Sequence, residues 1–273
     1  MPELPEVETT LRGIAPYVDG QSIKECIVRE HRMRWPVPVD RLKALEGQRI
    51  TSIERRAKYI LLHTTNEVVL LHLGMSGSIR GLTGSTQVAI SKHDHIDICF
   101  ENGNTLRFND PRRFGCCLVI DKPHENHSLL AKLGPEPLSD DFNVDYLWKK
   151  TQSRKAPIKN VIMDGAVVVG VGNIYASESL YEAGIRPATQ ANRVSKKRLI
   201  ILVDKIKAVL HKAIQAGGTT LNDFTQADGK PGYFRHELQV YARAGLKCYG
   251  CGSEIKSKTI GQRNTFYCTS CQR

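Results

Sequence analysis

The sequence predicts an α+β protein in several parts: a β-sandwich or barrel led by a helix, a helical region, and a small metal-pinned hairpin at the C-terminus. Three observations predict it. Short β-type runs separated by turn residues fill the chain from about residue 20 to 120. The apolar period then changes from two to that of a helix after a stretch rich in proline and glycine. Finally, the last segment carries two matched CxxC pairs.

Taken in order, the chain opens with "MPELPEVE", two prolines and three carboxylates in eight residues. Alone, such a start reads as a solvated lead-in, because termini fray; only a partner elsewhere in the chain changes that. In "PEVETTLRGIAPYV" Val7, Leu11 and Ile14 fall at helical spacing, which predicts a leading helix. The runs "SIKECIVRE", "RITSIERRAKYILLHT", "EVVLLHLGM", "HIDICFE", "TLRFND" and "GCCLVI" read as strands, with turns at "TTNE", "LTGST" and "ENGN". Cys26, Cys99, Cys116 and Cys117 lie among apolar neighbours and read as small buried residues. "LGPEPLSDDF" places a hinge linker at 134–141 between an N-terminal domain, 2–133, and a helical one, 142–235. In the latter "VDYLWKKTQ", "PIKNVIMDG", "NIYASESLYEAGI" and "SKKRLIILVDKIKAVLHKAIQAGG" read as helices, the last long, basic and stopped by a glycine pair.

The chain has 273 residues, with 39 Lys and Arg against 28 Asp and Glu, a formal charge of +11. That excess favours a polyanionic partner. The start lacks the basic and apolar regions of a signal peptide, and no apolar run approaches the roughly 18 residues of a membrane span. A cytoplasmic protein is expected, in which eight cysteines serve as thiols or metal ligands rather than disulfides.

Residues 236–273 hold Cys248 and Cys251, then, after sixteen intervening residues, Cys268 and Cys271. The spacing fits one structural zinc ion held by four thiolates. A redox pair is the alternative, disfavoured by two matched pairs in a polar, glycine-bearing segment. So short a segment buries little core, so metal binding would supply its folding energy. Six cations against two acids leave it at +4, suited either to a structural clip or to nucleic acid.

"MPELPEVE", "RRAKYILL", "HLGMSGS", "KHDHID", "NDPRRFG", "VGVGNIYASE", "DGKPGYF", "ELQVYAR" and "GQRNTFYC" occur in that order, and together they closely resemble the bacterial formamidopyrimidine-DNA glycosylases. The resemblance runs from residue 2 to the last cysteines. It implies a β-sandwich domain and a helical domain with a helix-two-turn-helix and a zinc β-hairpin at 236–273, with duplex DNA bound between them by a monomer. It also implies the activity: release of oxidised purines such as 8-oxoguanine and formamidopyrimidines in base excision repair, followed by β,δ-elimination at the abasic site. The location would be cytoplasmic, at the nucleoid when bound to DNA.

On that resemblance Met1 is removed and Pro2 becomes the nucleophile. An α-amino group has a pKa near 8, so much of it is unprotonated near neutrality. Its attack on C1′ yields an iminium that acidifies C2′. Glu3 is then the proton donor to the sugar ring oxygen, with Glu6 and Glu178 as candidates for assistance. Lys58 matches the family's essential lysine, a phosphate contact and proton donor in β-elimination, although a lysine beside two arginines also suits a general phosphate contact. Arg263 matches the hairpin arginine that grips phosphate, a role for a bidentate guanidinium. His93 and Arg154 match DNA contacts, and Asn173 a phosphate-binding asparagine at a glycine-led helix start. Met75, Arg112 and Phe114 match the triad that fills the gap left by a flipped nucleotide, although Met75 and Phe114 alone would read as core. Residues 217–234, with a tip at 226–230, resemble the loop that covers an oxidised purine.

Two alternatives share part of this pattern. An endonuclease VIII-type glycosylase for oxidised pyrimidines has the Pro-Glu start, though typically as "PEGPE". A non-enzymatic zinc DNA-binding protein would explain the charge and the cysteines, but not Pro-Glu joined to "RRAKY".

Overall fold

A computed structural model of the chain describes residues 1–84, 88–219 and 234–273. They form two compact units: Met1–Ala131 with the described part of Ala216–Arg235, and Lys132–Gln215 with His236–Arg273.

In the first unit α1 (Leu4–Val18) leads into β1 (Ile23–Val28), α2 (Val39–Lys43), β2 (Ser52–Arg56), β3 (Tyr59–His63), β4 (Glu67–His72), β5 (Ser78–Leu82), β6 (Asp94–Phe100), β7 (Thr105–Asn109) and β8 (Cys116–Asp121). The strands make two four-stranded antiparallel sheets, ordered β1-β6-β7-β5 and β2-β3-β4-β8. Alternate residues of a strand face opposite sides. Ile60, Leu62, Val69, Leu71 and Val119 of one sheet therefore share a core with Ile96, Ile98, Leu106 and Phe108 of the other, and Val7, Ile14 and Val18 of α1 join it. Leu61, Val68, Leu70 and Ile120, on the alternate positions of the second sheet, are buried too. A sheet covered on both faces explains why "YILLH" and "EVVLLH" are nearly continuous apolar runs.

Two elements escape the sequence patterns. The helix α2 is five residues long and follows Pro36 and Pro38. The strand β5 contains Gly81, where a Cβ would lie 2.3 Å from the Tyr17 ring, so the missing side chain seats α1 on the sheet. Cys26, Cys116 and Cys117 are buried, whereas Cys99 is only half-buried.

The second unit contains α3 (Val144–Thr151), α4 (Ile158–Met163), α5 (Asn173–Glu182), α6 (Lys196–Gln215) and the hairpin β9 (Ile255–Ile260) and β10 (Arg263–Cys268). The Asn143 side chain caps α3 by accepting the Tyr146 N–H. In α6 Leu199, Leu202, Val203, Ile206, Val209, Leu210 and Ala213 form a buried stripe at helical spacing, packed on α3 and α5. From Ile174 to Leu180, α5 is buried on every side. The Gly134 N–H donates to Gly165 O and the Val169 N–H to Pro135 O, so the start of the glycine–proline stretch is bonded into this unit. No helix among the described residues is long and apolar enough to cross a membrane.

Candidate functional site

At the head of α1, Pro2 is buried and Glu3 is the N-cap. A reciprocal capping box closes the turn: the Glu3 side chain accepts the Glu6 N–H, and Glu6 Oε2 accepts the Glu3 N–H at 2.8 Å. The other oxygen of Glu6 accepts the Thr219 N–H at 2.8 Å. Glu6 thus clamps the chain that follows the Gly217–Gly218 pair onto the helix head. Both carboxylates are almost fully buried, at 3% and 2% exposure, beside the positive end of a helix dipole. Of the loop at 217–234, residues 220–233, including the tip at 226–230, lie outside the described residues.

Lys58 sits in the two-residue turn of the β2–β3 hairpin, closed by Arg56 and Tyr59. Ala57 before it has φ 56°, the left-handed region that glycine normally fills. The hairpin is tied to α1 by Arg55, whose Nε donates to Glu8 Oε2 at 2.8 Å and whose Nη1 donates to Ala57 O. Burial alone would raise the Glu8 pKa, but Arg55 and Arg12 outweigh it and hold the carboxyl below its usual range. Next to the turn lies His72, its ring 5.1 Å from that of Tyr59. Burial, with Arg34 and Lys58 nearby, pushes the His72 pKa down to about 4. The ring is neutral at pH 7, and its Nδ1 accepts the Gly74 N–H.

The stretches that carry Met75, His93, Arg112 and Phe114 meet at Asp110, which lies in "NDPRRFG". Asp110 is fully buried. Its Oδ1 accepts from Ser76 Oγ at 3.0 Å and from the Arg112 N–H, and its Oδ2 accepts the Gly115 N–H at 2.7 Å. Its own N–H donates to His93 O, and His95 Nε2 donates to its carbonyl. Gly74 has φ 63°, and a Cβ there would meet the Phe114–Gly115 backbone at 2.3 Å. The "HLGMSG" and "DPRRFG" loops can approach only as glycines. Phe114 is 46% exposed and Met75 half-buried, so neither is core. The Arg112 guanidinium lies 4.9 Å from the Phe114 ring centre, a stacked pair open to solvent.

In the second unit Arg263 is exposed and follows the Gly261–Gln262 turn, both residues left-handed at φ 57° and 62°. That is the conformation two-residue hairpins prefer. A Cβ at Gly261 would lie 2.5 Å from Asn160, so the turn packs directly on α4. Lys159, fully buried, donates to both Asn173 Oδ1 and Thr265 Oγ1. Asn173, at the glycine-led start of α5, donates from Nδ2 to Asn264 O at 2.9 Å. Asn173 and Arg263 are thereby brought to one place, with Lys159 beneath. The only sequence signal for Lys159 was a cation among apolar neighbours in "PIKNVIM". Glu178 accepts the N–H groups of Gln239, Val240 and Tyr241 at 2.7–3.0 Å. Burial raises its pKa despite these bonds. Its oxygens hold "ELQVYAR" against α5. Arg154 is ion-paired with Asp164 at 2.9 Å.

The four hairpin cysteines gather their sulfurs within 4.8 Å of one another. A tetrahedral zinc–thiolate site, with bonds of about 2.3 Å, needs sulfurs about 3.8 Å apart. The pairs Cys248–Cys271 and Cys251–Cys268 stand at 3.9 and 3.4 Å, so the donor set fits one zinc ion. Hydrogen bonds from the Ser253 hydroxyl and N–H pull the Cys251 pKa down to about 6. Burial and the nearby thiols raise the Tyr181 pKa, leaving its hydroxyl protonated 3.2 Å from Cys248 Sγ. Cys248 and Cys251 are thus favoured as thiolates, whereas burial raises Cys268 and the neighbouring Cys251 thiol, with burial, pushes Cys271 up to about 12, so binding of the metal would have to displace protons there.

Comparison with known proteins matches residues 1–117 to the formamidopyrimidine-DNA glycosylase N-terminal domain and residues 133–225 to the formamidopyrimidine-DNA glycosylase H2TH domain. The chain is 54% identical over 273 residues to the formamidopyrimidine-DNA glycosylase of Alteromonas mediterranea, covering 100% of both. To that of Haemophilus ducreyi it is 53% identical over 272 residues, covering 100% of this chain and 98% of the other. Among solved structures it is similar to the MutM (Fpg) protein of Thermus thermophilus, with TM-score 0.88, 34% identity and coverage of 99% and 98%. The Lactococcus lactis Fpg in complex with abasic-site DNA gives TM-score 0.90, 34% identity and coverage of 99% of each chain.

Proposed function

This chain belongs to the formamidopyrimidine-DNA glycosylase family, and on that premise we propose that it is a bifunctional enzyme that excises oxidised purines from duplex DNA and then cuts the abasic strand. The observation that carries the reading is the head of α1, where Glu3 and Glu6 lock each other's backbone and hold residue 2 in a buried position.

With Met1 removed, the Pro2 nitrogen is a secondary amine. It attacks C1′ as the bond to the base breaks, and the base leaves with a proton. Glu3 gives a proton to the ring oxygen, opening the sugar to an iminium on Pro2. Loss of a C2′ proton expels the 3′ phosphate, and a second elimination expels the 5′ phosphate. Lys58 serves the first elimination and Arg263 the second, each beside a backbone phosphate. Asn173 holds a neighbouring phosphate, with its side chain already oriented by Lys159 and Asn264. Arg154 and His93 bind the backbone further out, in an enzyme working as a monomer on nucleoid DNA in the cytoplasm. Zinc supplies folding energy to the hairpin.

Borohydride added during turnover of 8-oxoguanine duplex should trap one covalent adduct, mapping to the peptide that begins at Pro2. A chain that keeps Met1 presents a tertiary amide there and should give none. An adduct on Lys58 with Pro2 free would overturn the assignment, and an intact strand after incubation with an abasic duplex would favour a binding protein.

Arg112, stacked on Phe114 and exposed, is placed to read the orphaned base. Cytosine offers O2 and N3 acceptors to a donor-only guanidinium, while adenine presents its N6 donor. Such a contact discriminates by about 1–3 kcal/mol, so cleavage opposite cytosine should exceed that opposite adenine by about ten- to a hundredfold. The ratio should collapse in Arg112→Ala, and equal rates in the unaltered enzyme would leave Arg112 a phosphate contact.

A further inference from the structure

We propose that Glu54, His63 and His124 form a second metal site, for a divalent transition ion of the zinc class, in the first unit. The site stands apart from the four cysteines and rests on no step of the catalytic reading.

Three separate stretches of chain build it. Glu54 on β2 pairs with Leu61 on β3, so His63, two residues further along β3, lies diagonally across from it on the same face. His124 arrives from the short 3₁₀ turn His124–Asn126 beyond β8. That segment is pinned across the sheet by Lys122, whose ammonium donates to the carbonyls of Thr64 and Thr65. The donor atoms converge: His63 Nε2 lies 2.9 Å and His124 Nε2 3.2 Å from the same Glu54 oxygen. All three lie within 4.8 Å of one another. The rings meet edge to face at 4.9 Å.

The chemistry of the set points to a cation of intermediate softness. Two imidazole nitrogens and one carboxylate suit zinc and its neighbours rather than calcium or magnesium, which prefer all-oxygen shells. The two imidazoles are largely buried, at 9% and 17% exposure, and so fixed; the Glu54 side chain is 48% exposed and free to pivot from bridging the rings to binding an ion between them. Glu125 Oε2 lies 3.6 Å from His124 Nδ1. That is an ion-pair distance beyond hydrogen-bond reach, and the carboxylate's negative charge adds to the attraction for a cation between the rings. The exposed side leaves a coordination position for water. An ion so held would join the open end of the β2–β3 hairpin to the segment after β8, bracing the strands whose turn presents Lys58.

The test uses full-length protein with its four-cysteine site loaded with zinc and excess metal dialysed away. Titration with Zn²⁺ alone, followed calorimetrically and by metal analysis, should show one further equivalent per chain and a raised melting temperature. Co²⁺ in that position should give weak d–d bands without thiolate charge transfer. Glu54→Gln with His124→Gln should lose this equivalent and keep the thiolate-bound one. Should the double variant fail to fold, His124→Gln alone, on the turn outside the strands, should weaken the cobalt site by about tenfold or more. Wild-type protein that binds one metal in total, or a second equivalent that persists unweakened in these variants, would overturn the assignment.

Discussion

Each unit carries a two-residue β-hairpin turn with a cation at it, Lys58 on β2–β3 and Arg263 on β9–β10, and the two hairpins are supported in opposite ways. Beneath the first lies the sandwich core, to which Ile60 and Leu62 contribute, with Ile53 packed against it. The second has a core of only Val240, Cys248, Ile255 and Cys268 with a few half-buried neighbours. It is held instead by thiolates and by polar clasps: Lys159 to Thr265, Asn173 to Asn264, and Glu178 to the 239–241 backbone. A side chain can be positioned mainly by apolar packing, with Arg55 as a polar tie, or mainly by a metal and satisfied buried polar groups. The second arrangement needs fewer residues but fails all at once when the metal leaves.

The largest effect should therefore come from metal removal. Structural zinc in small hairpins is worth about 10–16 kcal/mol of apparent binding energy, which is folding energy there. Chelation, or Cys268→Ser, should abolish amide protection from 255 to 268 while leaving β3 and β4 protected, as read by hydrogen exchange. Protection of the hairpin that survives chelation would erase the contrast between the two supports.

Next in size, the cations themselves should be dispensable for folding. Lys58→Ala should keep the melting temperature and lose about 10²–10⁴-fold in strand cleavage, the range for a positioned proton donor. Arg263→Ala should retain zinc but bind abasic duplex more weakly at low salt, with a salt slope reduced by about one phosphate contact. Full cleavage by Arg263→Ala would remove it from the lesion phosphate.

Acid should separate the units further. Glu8, which ties α1 to the first hairpin, has a folded pKa below its unfolded one, so its contribution is present above the unfolded value and lost as pH falls through the folded value. Glu178, which ties the second unit's clasp, has a folded pKa raised by burial, so stability at that site rises as pH falls through the raised value. Carboxyl titrations by NMR should show the two groups displaced to opposite sides of the ordinary glutamate range. Both displaced upwards would mean that Arg55 and Arg12 do not dominate at Glu8, and both displaced downwards that the three N–H bonds outweigh burial at Glu178.

The legible part of this molecule was what repeats: strand alternation, helical stripes and paired cysteines are periodic, and each was readable from residue spacing. The residues that position others were not. Asp110 orders the loop bearing Arg112 and Phe114, yet its contacts to Ser76 span 34 positions, and nothing local marks it beyond an Asp-Pro turn. Lys159 reaches Thr265 across 106 positions. Glu178 was singled out for chemistry, whereas its oxygens are occupied by backbone N–H groups. Burial of a polar group with partners distant in sequence is a tertiary fact, and no short window of sequence carries it.

The smallest effect tests the turns themselves. Ala57 and Gly261 occupy the same position in their hairpins, the first turn residue, at φ 56° and 57°. An L-residue in that region costs about 1–2 kcal/mol through contact of Cβ with the backbone, and glycine does not. Ala57→Gly should therefore relieve strain, offset by the roughly 0.4–1 kcal/mol of extra unfolded-state entropy that glycine brings. The net expectation is a change of less than about 1 kcal/mol, towards greater stability. The exchange in the other direction has two penalties, because Gly261→Ala meets both the left-handed φ and Asn160 at 2.5 Å. It should lower stability by more than about 1 kcal/mol and loosen Arg263, showing as weaker duplex binding with zinc retained. Chemical denaturation of both variants measures the pair of signs. A destabilised Ala57→Gly would mean that Ala57, only 4% exposed, contributes more through packing than it costs in strain, and that the first hairpin relies on its core even at the turn.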